Sequence, residues 1–311
     1  MNLTNLIWFE KYRPKDIASM SLPPAYKVAF DSYIQSKSIP HLLLEGSPGS
    51  GKTTTAQILL DSIPCTRLSL NASGIDRGID TVKTKITLFA SSQSMEGRLK
   101  IVFLDEFDQM TKDAQNALKN TMETYSKNCR FILTCNDIGK VVDPIISRCT
   151  KYTFDQFPKK KMLRLLTSIL VKEGIKETPD KDLTELIDRF FPDVRSIINN
   201  MQAACVSGMF NVKAIGSLQI DPNIVGAHIL DGKLQSLRQY VVGTTDFTFL
   251  YKWLFNVFLY SKVKEEHKAD IALHVINYSA MDHQVPDREM QFVGCALNIM
   301  LTIGVTPKFG E

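Results

Sequence analysis

Gly46-Ser47-Pro48-Gly49-Ser50-Gly51-Lys52-Thr53 satisfies the pattern G-x-x-x-x-G-K-[ST], directly after an apolar run and directly before a stretch of helix-like composition. This octapeptide constrains the fold more than any other feature, because it works as the turn between a buried strand and a helix. Leu42 to Leu44 read as the strand and Thr54 to Leu60 as the helix. The glycines let backbone N–H groups turn inward onto phosphate oxygens, and the helix N-terminus adds partial positive charge. Residues Gly46 to Thr54 are therefore expected to hold a nucleoside triphosphate, ATP in the first instance. Lys52 would reach the β- and γ-phosphates, and Thr53 would hold Mg²⁺ through its hydroxyl.

Apolar runs alternate with helix-length segments through the first half: Leu42 to Leu44, Arg67 to Leu70, Ile101 to Leu104, Phe131 to Cys135 and Tyr152 to Phe154. That alternation predicts a parallel α/β sheet. After Phe157 and Pro158 the strands stop, and Lys159 to Val171, Lys181 to Phe190 and Val194 to Val206 read as amphipathic helices of a small α unit. The pattern breaks again at Asp221-Pro222 and is helical to the end. Boundaries at 1–157, 158–222 and 223–311 follow. Phe247 to Tyr260 is almost continuously apolar, so it is expected to be buried on every side, in its own domain or against another subunit. With a net charge of only +4, any nucleic-acid contact has to be local. The cysteines lack a C-x-x-C pair or zinc spacing, and neither a signal-like start nor a bilayer-length apolar run is present. These features point to a cytoplasmic chain in a reducing compartment with no membrane partner.

Ile101-Val102-Phe103-Leu104-Asp105-Glu106 is a buried strand ending in two acids, the arrangement of a Walker B site at the carboxyl end of a doubly wound sheet. Strand alternation would send the two side chains to opposite faces, Asp105 to Mg²⁺ and Glu106 to the attacking water. An acidic pair there also suits a simple helix cap. A glutamate beside the aspartate favours hydrolysis over phosphate transfer. Asn136, after the strand Phe131 to Cys135, suits orienting that water or the γ-phosphate, or is a turn residue. Arg148 in Ser147-Arg148-Cys149 is either an exposed edge residue or a charge-stabilising arginine supplied to a neighbouring subunit. Arg195 begins a helix, where a cation opposes the helix dipole, so it pairs with an external anion or with Asp193 or Asp188.

Trp8-Phe9-Glu10-Lys11-Tyr12-Arg13-Pro14, the phosphate loop, Asp105-Glu106, Asp113-Ala114-Gln115-Asn116-Ala117-Leu118, Asn136, Ser147-Arg148-Cys149 and Arg195 occur in the order seen in sliding-clamp loader ATPases of the AAA+ superfamily. The chain resembles replication factor C small subunits and the large clamp-loader subunit of T4-like bacteriophages over about its first 200 residues. The resemblance implies an AAA+ P-loop sheet domain, a small helical lid and an all-α collar. It places Tyr12 and Arg13 against the adenine and ribose, Asn136 as sensor 1, Arg195 as sensor 2 and Arg148 as the arginine finger. It also implies a pentameric spiral that opens a ring-shaped clamp and grips primer-template DNA. Asp105-Glu106-Phe107-Asp108 in place of D-E-A-D, and Pro192-Asp193 in place of G-D, look more like the phage members, which favours four copies with a distinct fifth subunit. The missing zinc module argues against the bacterial tau/gamma subunit.

The segment Asn71 to Asp80 is similar to the family's chamber-lining stretch, with one extra residue before the arginine. Arg77, Lys83 and Lys85, with Lys112 and Lys119 on the helix after Walker B, are expected to contact DNA phosphates or else to form solvated helix faces. Phe89 and Met95 are candidates for the clamp contact or for core. The competing readings are another AAA+ machine, such as a helicase loader or branch-migration motor, and a P-loop kinase.

Overall fold

Ile101 and Phe103 point one way and Val102 and Leu104 the other, and all four are buried, so this strand needs cover on both faces. The computed structural model describes residues 7–93, 98–154, 158–175, 180–206, 209–211, 220–244, 247–282 and 284–309. They form two compact units, Met1–Phe210 and Asn211–Glu311.

In the first unit five parallel strands, β1 (Leu42–Glu45), β2 (Cys65–Asn71), β3 (Leu99–Asp105), β4 (Cys129–Cys135) and β5 (Thr150–Thr153), lie in the order β2-β3-β4-β1-β5. The helices are α1 (Trp8–Lys11), α2 (Pro24–Ser36), α3 (Lys52–Ser62), α4 (residues 79–91, with a π-helical stretch at Val82–Ile86), α5 (Lys112–Thr124) and α6 (Asp143–Ile146). Val82, Ile86, Leu118 and Met122 of α4 and α5 cover the face carrying Leu43, Val102, Leu104, Phe131 and Leu133. Phe30, Leu59 and Leu60 of α2 and α3 cover the face carrying Leu42, Leu44, Ile101, Phe103 and Ile132. All five expected strands are present. Three amphipathic helices follow, α7 (Lys159–Lys172), α8 (Asp180–Phe190) and α9 (Val194–Ala204). The expectation that strands stop at this point is corrected by a short antiparallel pair, β6 (Cys205–Val206) with β7 (Met209–Phe210). It ends α9 before Val206. Phe157 and Met95 lie outside the described residues.

The second unit is helical: α10 (Pro222–Leu230), α11 (Leu234–Val241), α12 (residues 248–262, π-helical at Leu254–Phe258), α13 (Glu265–Met281) and α14 (Arg288–Thr302). Phe247 and Tyr251 stack on Phe292 with ring centroids 5.1 and 5.3 Å apart, joining α12 to α14. Buried Asp282 pairs with Arg288 across the α13–α14 turn. The apolar run of α12 is not enclosed on every side within this unit. Leu250, Leu254 and Phe258 are core, whereas Val257 and Tyr260 are 45% and 65% exposed, because the other helices pack on one side of it. Among the described residues no helix is long and apolar enough to cross a membrane.

His41, just before β1, accepts the Phe131 N–H on Nδ1 at 3.2 Å. Burial, helped by the charge of Arg130, pushes its pKa from 6.5 down to about 4. Between those values the unfolded chain binds a proton that the folded chain refuses, so stability rises with pH through this window and is lost as pH falls. Thermal melts from pH 7 to pH 4 should show that loss, and His41→Asn, which keeps an acceptor but does not titrate, should flatten it. An unchanged slope in His41→Asn would contradict the assignment.

Candidate nucleotide-binding site

The phosphate loop takes left-handed backbone at Gly46, Gly49 and Gly51, with φ of 144°, 72° and 99°. At Gly49 space is also decisive, since a Cβ would lie 1.9 Å from Oδ1 of Asp193. That carboxylate caps α9, accepting the N–H groups of Arg195 at 3.0 Å and Ser196 at 3.2 Å. The N-terminus of α9 is thereby set against the loop, with only a glycine between them.

Lys52 opens α3, is buried, and donates from Nζ to the carbonyls of Gly46 and Ser47, each at 2.8 Å. Thr53 donates from Oγ1 to Asp105 Oδ1 at 2.9 Å. The same carboxylate oxygen accepts Thr134 Oγ1 at 2.5 Å, and Thr134 Oγ1 accepts the Glu106 N–H at 3.0 Å. Thr53 and Asp105 therefore bring hard oxygen donors together beside the loop, the donor set that suits Mg²⁺. Thr134 was not singled out from sequence. Its signal was a hydroxyl inside the otherwise apolar run Phe131 to Cys135.

Strand alternation does not separate Asp105 from Glu106. β3 ends at Asp105, and Glu106 adopts φ 55°, ψ 42°, a left-handed turn uncommon for a residue with a side chain. Thr134 holds its N–H and the Gln109 N–H holds its carbonyl at 2.9 Å. Asn136 follows β4 with its side chain exposed, and its N–H donates to Oδ1 of buried Asp108 at 3.1 Å. Asp108 is thus a second positioning group that the sequence reading passed over.

A cavity of about 370 Å³ adjoins the loop, lined by Tyr12, Arg13, Ser21, Lys161 and Val194 together with Gly49 to Gly51 and Thr54. Tyr12 donates its hydroxyl to Glu173 at 2.7 Å, as does the Lys11 ammonium. Partial burial pushes the Glu173 carboxyl up, but those two donors outweigh it and hold the group below its ordinary range. Arg13 Nε and Ser21 Oγ are buried without a hydrogen-bond partner among the described residues, although both residues line this cavity. A ligand offering ring nitrogens and hydroxyls supplies what they lack, so the site fits a nucleoside as well as its phosphates.

Arg195 makes neither of the ion pairs its position left open. Asp188 pairs with Lys159, and Asp193 takes the Arg195 backbone N–H rather than its guanidinium. The guanidinium stacks on Phe9 at 4.8 Å, and Arg13 approaches the same ring at 5.3 Å. Phe9 lines the cavity, so Arg195 stands at its edge. Arg148 is not gathered into this group. It donates to Pro144 O at 2.6 Å and pairs with Glu123.

The basic residues form a separate set. Arg77, Lys83, Lys85 and Lys112 are exposed and Lys119 is half-buried. Lys85 is paired with Asp76 at 2.6 Å, which leaves it partly neutralised. The Thr111 N–H donates to Arg77 O at 3.1 Å and α4 packs on α5, so both basic lines sit on adjoining helices. Phe89 is half-buried beneath the Lys100 ammonium at 5.4 Å, while neighbouring Leu88 is 66% exposed. Buried Lys100 closes the end of α4 by donating to Phe89 O and Ser92 Oγ, each at 2.8 Å.

Residues 42–156 match the family described as ATPase family associated with various cellular activities (AAA). The replication factor C small subunit of Archaeoglobus fulgidus is 43% identical over 208 residues, and the match spans 65% of the length of that relative. The small subunit of Methanococcus vannielii is 38% identical over 67% of this chain and 68% of its own. Small subunit 1 of Pyrobaculum arsenaticum is 36% identical over 69% of this chain and 67% of its own. The solved structure of the RuvB Holliday junction branch migration motor from Thermotoga maritima is similar, with a TM-score of 0.54, 17% identity and coverage of 78% of this chain and 91% of that one. At that identity the likeness is one of fold.

Gly49→Ala combines a left-handed backbone with a collision against Asp193, so it should weaken ATP binding by about tenfold or more. Gly78→Ala, with open space around its Cβ, is the matched control. Titration of both variants with a fluorescent ATP analogue checks this, and equal affinity would contradict the close approach of α9 to the loop.

Proposed function

This chain belongs to the replication factor C small-subunit family of AAA+ ATPases, and we propose that it hydrolyses ATP as one subunit of a sliding-clamp loader acting in DNA replication. In this reading it opens a ring-shaped clamp and places it on primer-template DNA. One observation carries the proposal. The phosphate loop, Asp105, Glu106 and the cavity gather within one unit, while Arg148 is turned away to Pro144 and Glu123. In this reading the arginine that completes the site is Arg148 of a neighbouring subunit.

The chemistry follows from the positions of the groups. Loop N–H groups and Lys52 neutralise phosphate oxygens, and the Tyr12, Arg13 and Ser21 side of the cavity takes the nucleoside. Bound Mg²⁺, held by Thr53 and Asp105, would neutralise further phosphate charge. The left-handed turn presents Glu106 to accept a proton from the attacking water, which Asn136 orients. Arg195 reaches in from the lid, the helices of 158–222, and Arg148 from the next subunit offsets charge developing on the transferred phosphoryl group.

Assembly belongs to the second unit, read as the collar. Its support is apolar surface: Val257, Tyr260, Leu273 and Ile276 are 45%, 65%, 57% and 48% exposed. A pentamer of four copies and one distinct subunit, of phage-like type, rests on the Asp105 to Asp108 and Pro192-Asp193 sequences. Arg77, Lys83, Lys85, Lys112 and Lys119 would meet DNA phosphates without reading sequence, so binding should weaken steeply with salt. ATP hydrolysis should rise when primer-template DNA and the cognate clamp are added together. No response to the pair would contradict the loader reading, and transfer of phosphate to a small molecule would favour a kinase.

A further inference from the structure

An arginine that acts on a neighbour's phosphate has to be held in place by its own chain, because its long side chain otherwise keeps a large rotamer entropy. Arg148 is held on two edges. Nη1 donates to Pro144 O at 2.6 Å and to Ser147 Oγ at 3.4 Å, and Nη2 pairs with Glu123 Oε1. Nε and the second Nη2 hydrogen take no partner among the described residues, so they remain free to donate.

Glu123 lies in the last turn of α5. Fully buried Gln115, in the first half of the same helix, donates to Met110 O at 3.0 Å and Lys140 O at 3.1 Å and accepts the Val142 N–H at 2.9 Å. The helix therefore fixes the segment carrying Arg148 twice, once through backbone at 140–142 and once through the guanidinium itself. Their side chains are 33% and 50% exposed, and an ion pair with that exposure adds little to folding stability. Its orienting effect on the guanidinium is the larger consequence.

Resting on the reading of Arg148 as the arginine supplied to the adjacent site, we propose that Glu123 is its positioning residue, aligning the guanidinium so that its free edge meets the neighbour's phosphate. The test is steady-state ATPase of the assembled loader with clamp and primer-template DNA, for Glu123→Ala, Glu123→Gln, Arg148→Ala and the Glu123→Ala/Arg148→Ala double variant. Misorientation should lower kcat by about tenfold in Glu123→Ala with KM changed less than about twofold, and Glu123→Gln, which keeps an acceptor, should recover part of the loss. The double variant should be no slower than Arg148→Ala alone. If the double variant falls further by the Glu123→Ala factor, or if Glu123→Ala keeps wild-type kcat while Arg148→Ala is impaired, the positioning role is overturned. Normal kcat in Arg148→Ala would instead remove the finger reading on which it rests.

Discussion

One carboxylate oxygen joins the parts of this site that the sheet topology separates. β4 lies between β1 and β3, so the strand feeding the phosphate loop and the strand ending in Asp105 are not neighbours. Asp105 Oδ1 spans that gap by accepting Thr53 from the start of α3 and Thr134 from the intervening strand. Thr134 is almost wholly buried, and its hydroxyl passes the link on to the Glu106 N–H. The placement of the Thr53 and Asp105 oxygens and the turn at Glu106 are thus tied to a single hydrogen-bonded node.

From that node two helices carry position outward. α9 meets the phosphate loop through Asp193 and Gly49, so the cap of a lid helix and the tightest bend of the loop are set against each other. α1 is tied to the same helix, since the Trp8 N–H donates to the Gln202 side chain at 2.9 Å. Phe9 then receives Arg195 on its ring. On the other side of the sheet α5 starts beside the Walker B turn and ends at Glu123, against Arg148. With a rise of about 1.5 Å per residue, this helix spans the distance between the Walker B turn and Arg148.

Periodicity and spacing made the architecture legible. Runs such as Ile101 to Leu104 are buried on both faces, so they read as continuous apolar strands, and the glycines of the loop have left-handed φ values that few other residues accept. What escaped were polar groups whose partners lie far along the chain. Thr134, Asp108, Ser21 and Glu123 look like ordinary strand, turn or helix residues until folding brings them to Asp105, Asn136, the cavity and Arg148. The β6–β7 pair was missed because two-residue strands carry no period. For the Phe247 to Tyr260 helix, composition records how apolar it is but not which side its neighbours occupy, and of its two expected covers, its own domain or another subunit, only the first falls short.

The central claim is that hydrolysis requires groups from two copies, Lys52 and Glu106 from one and Arg148 from the next. Mixing Lys52→Ala subunits with Arg148→Ala subunits tests it most directly. Each variant alone should be inactive in DNA- and clamp-stimulated ATPase assays. The mixture should regain activity, because some interfaces then pair an intact loop with an intact arginine. Two preparations whose mixed activity is only the sum of the separate ones would contradict a shared site.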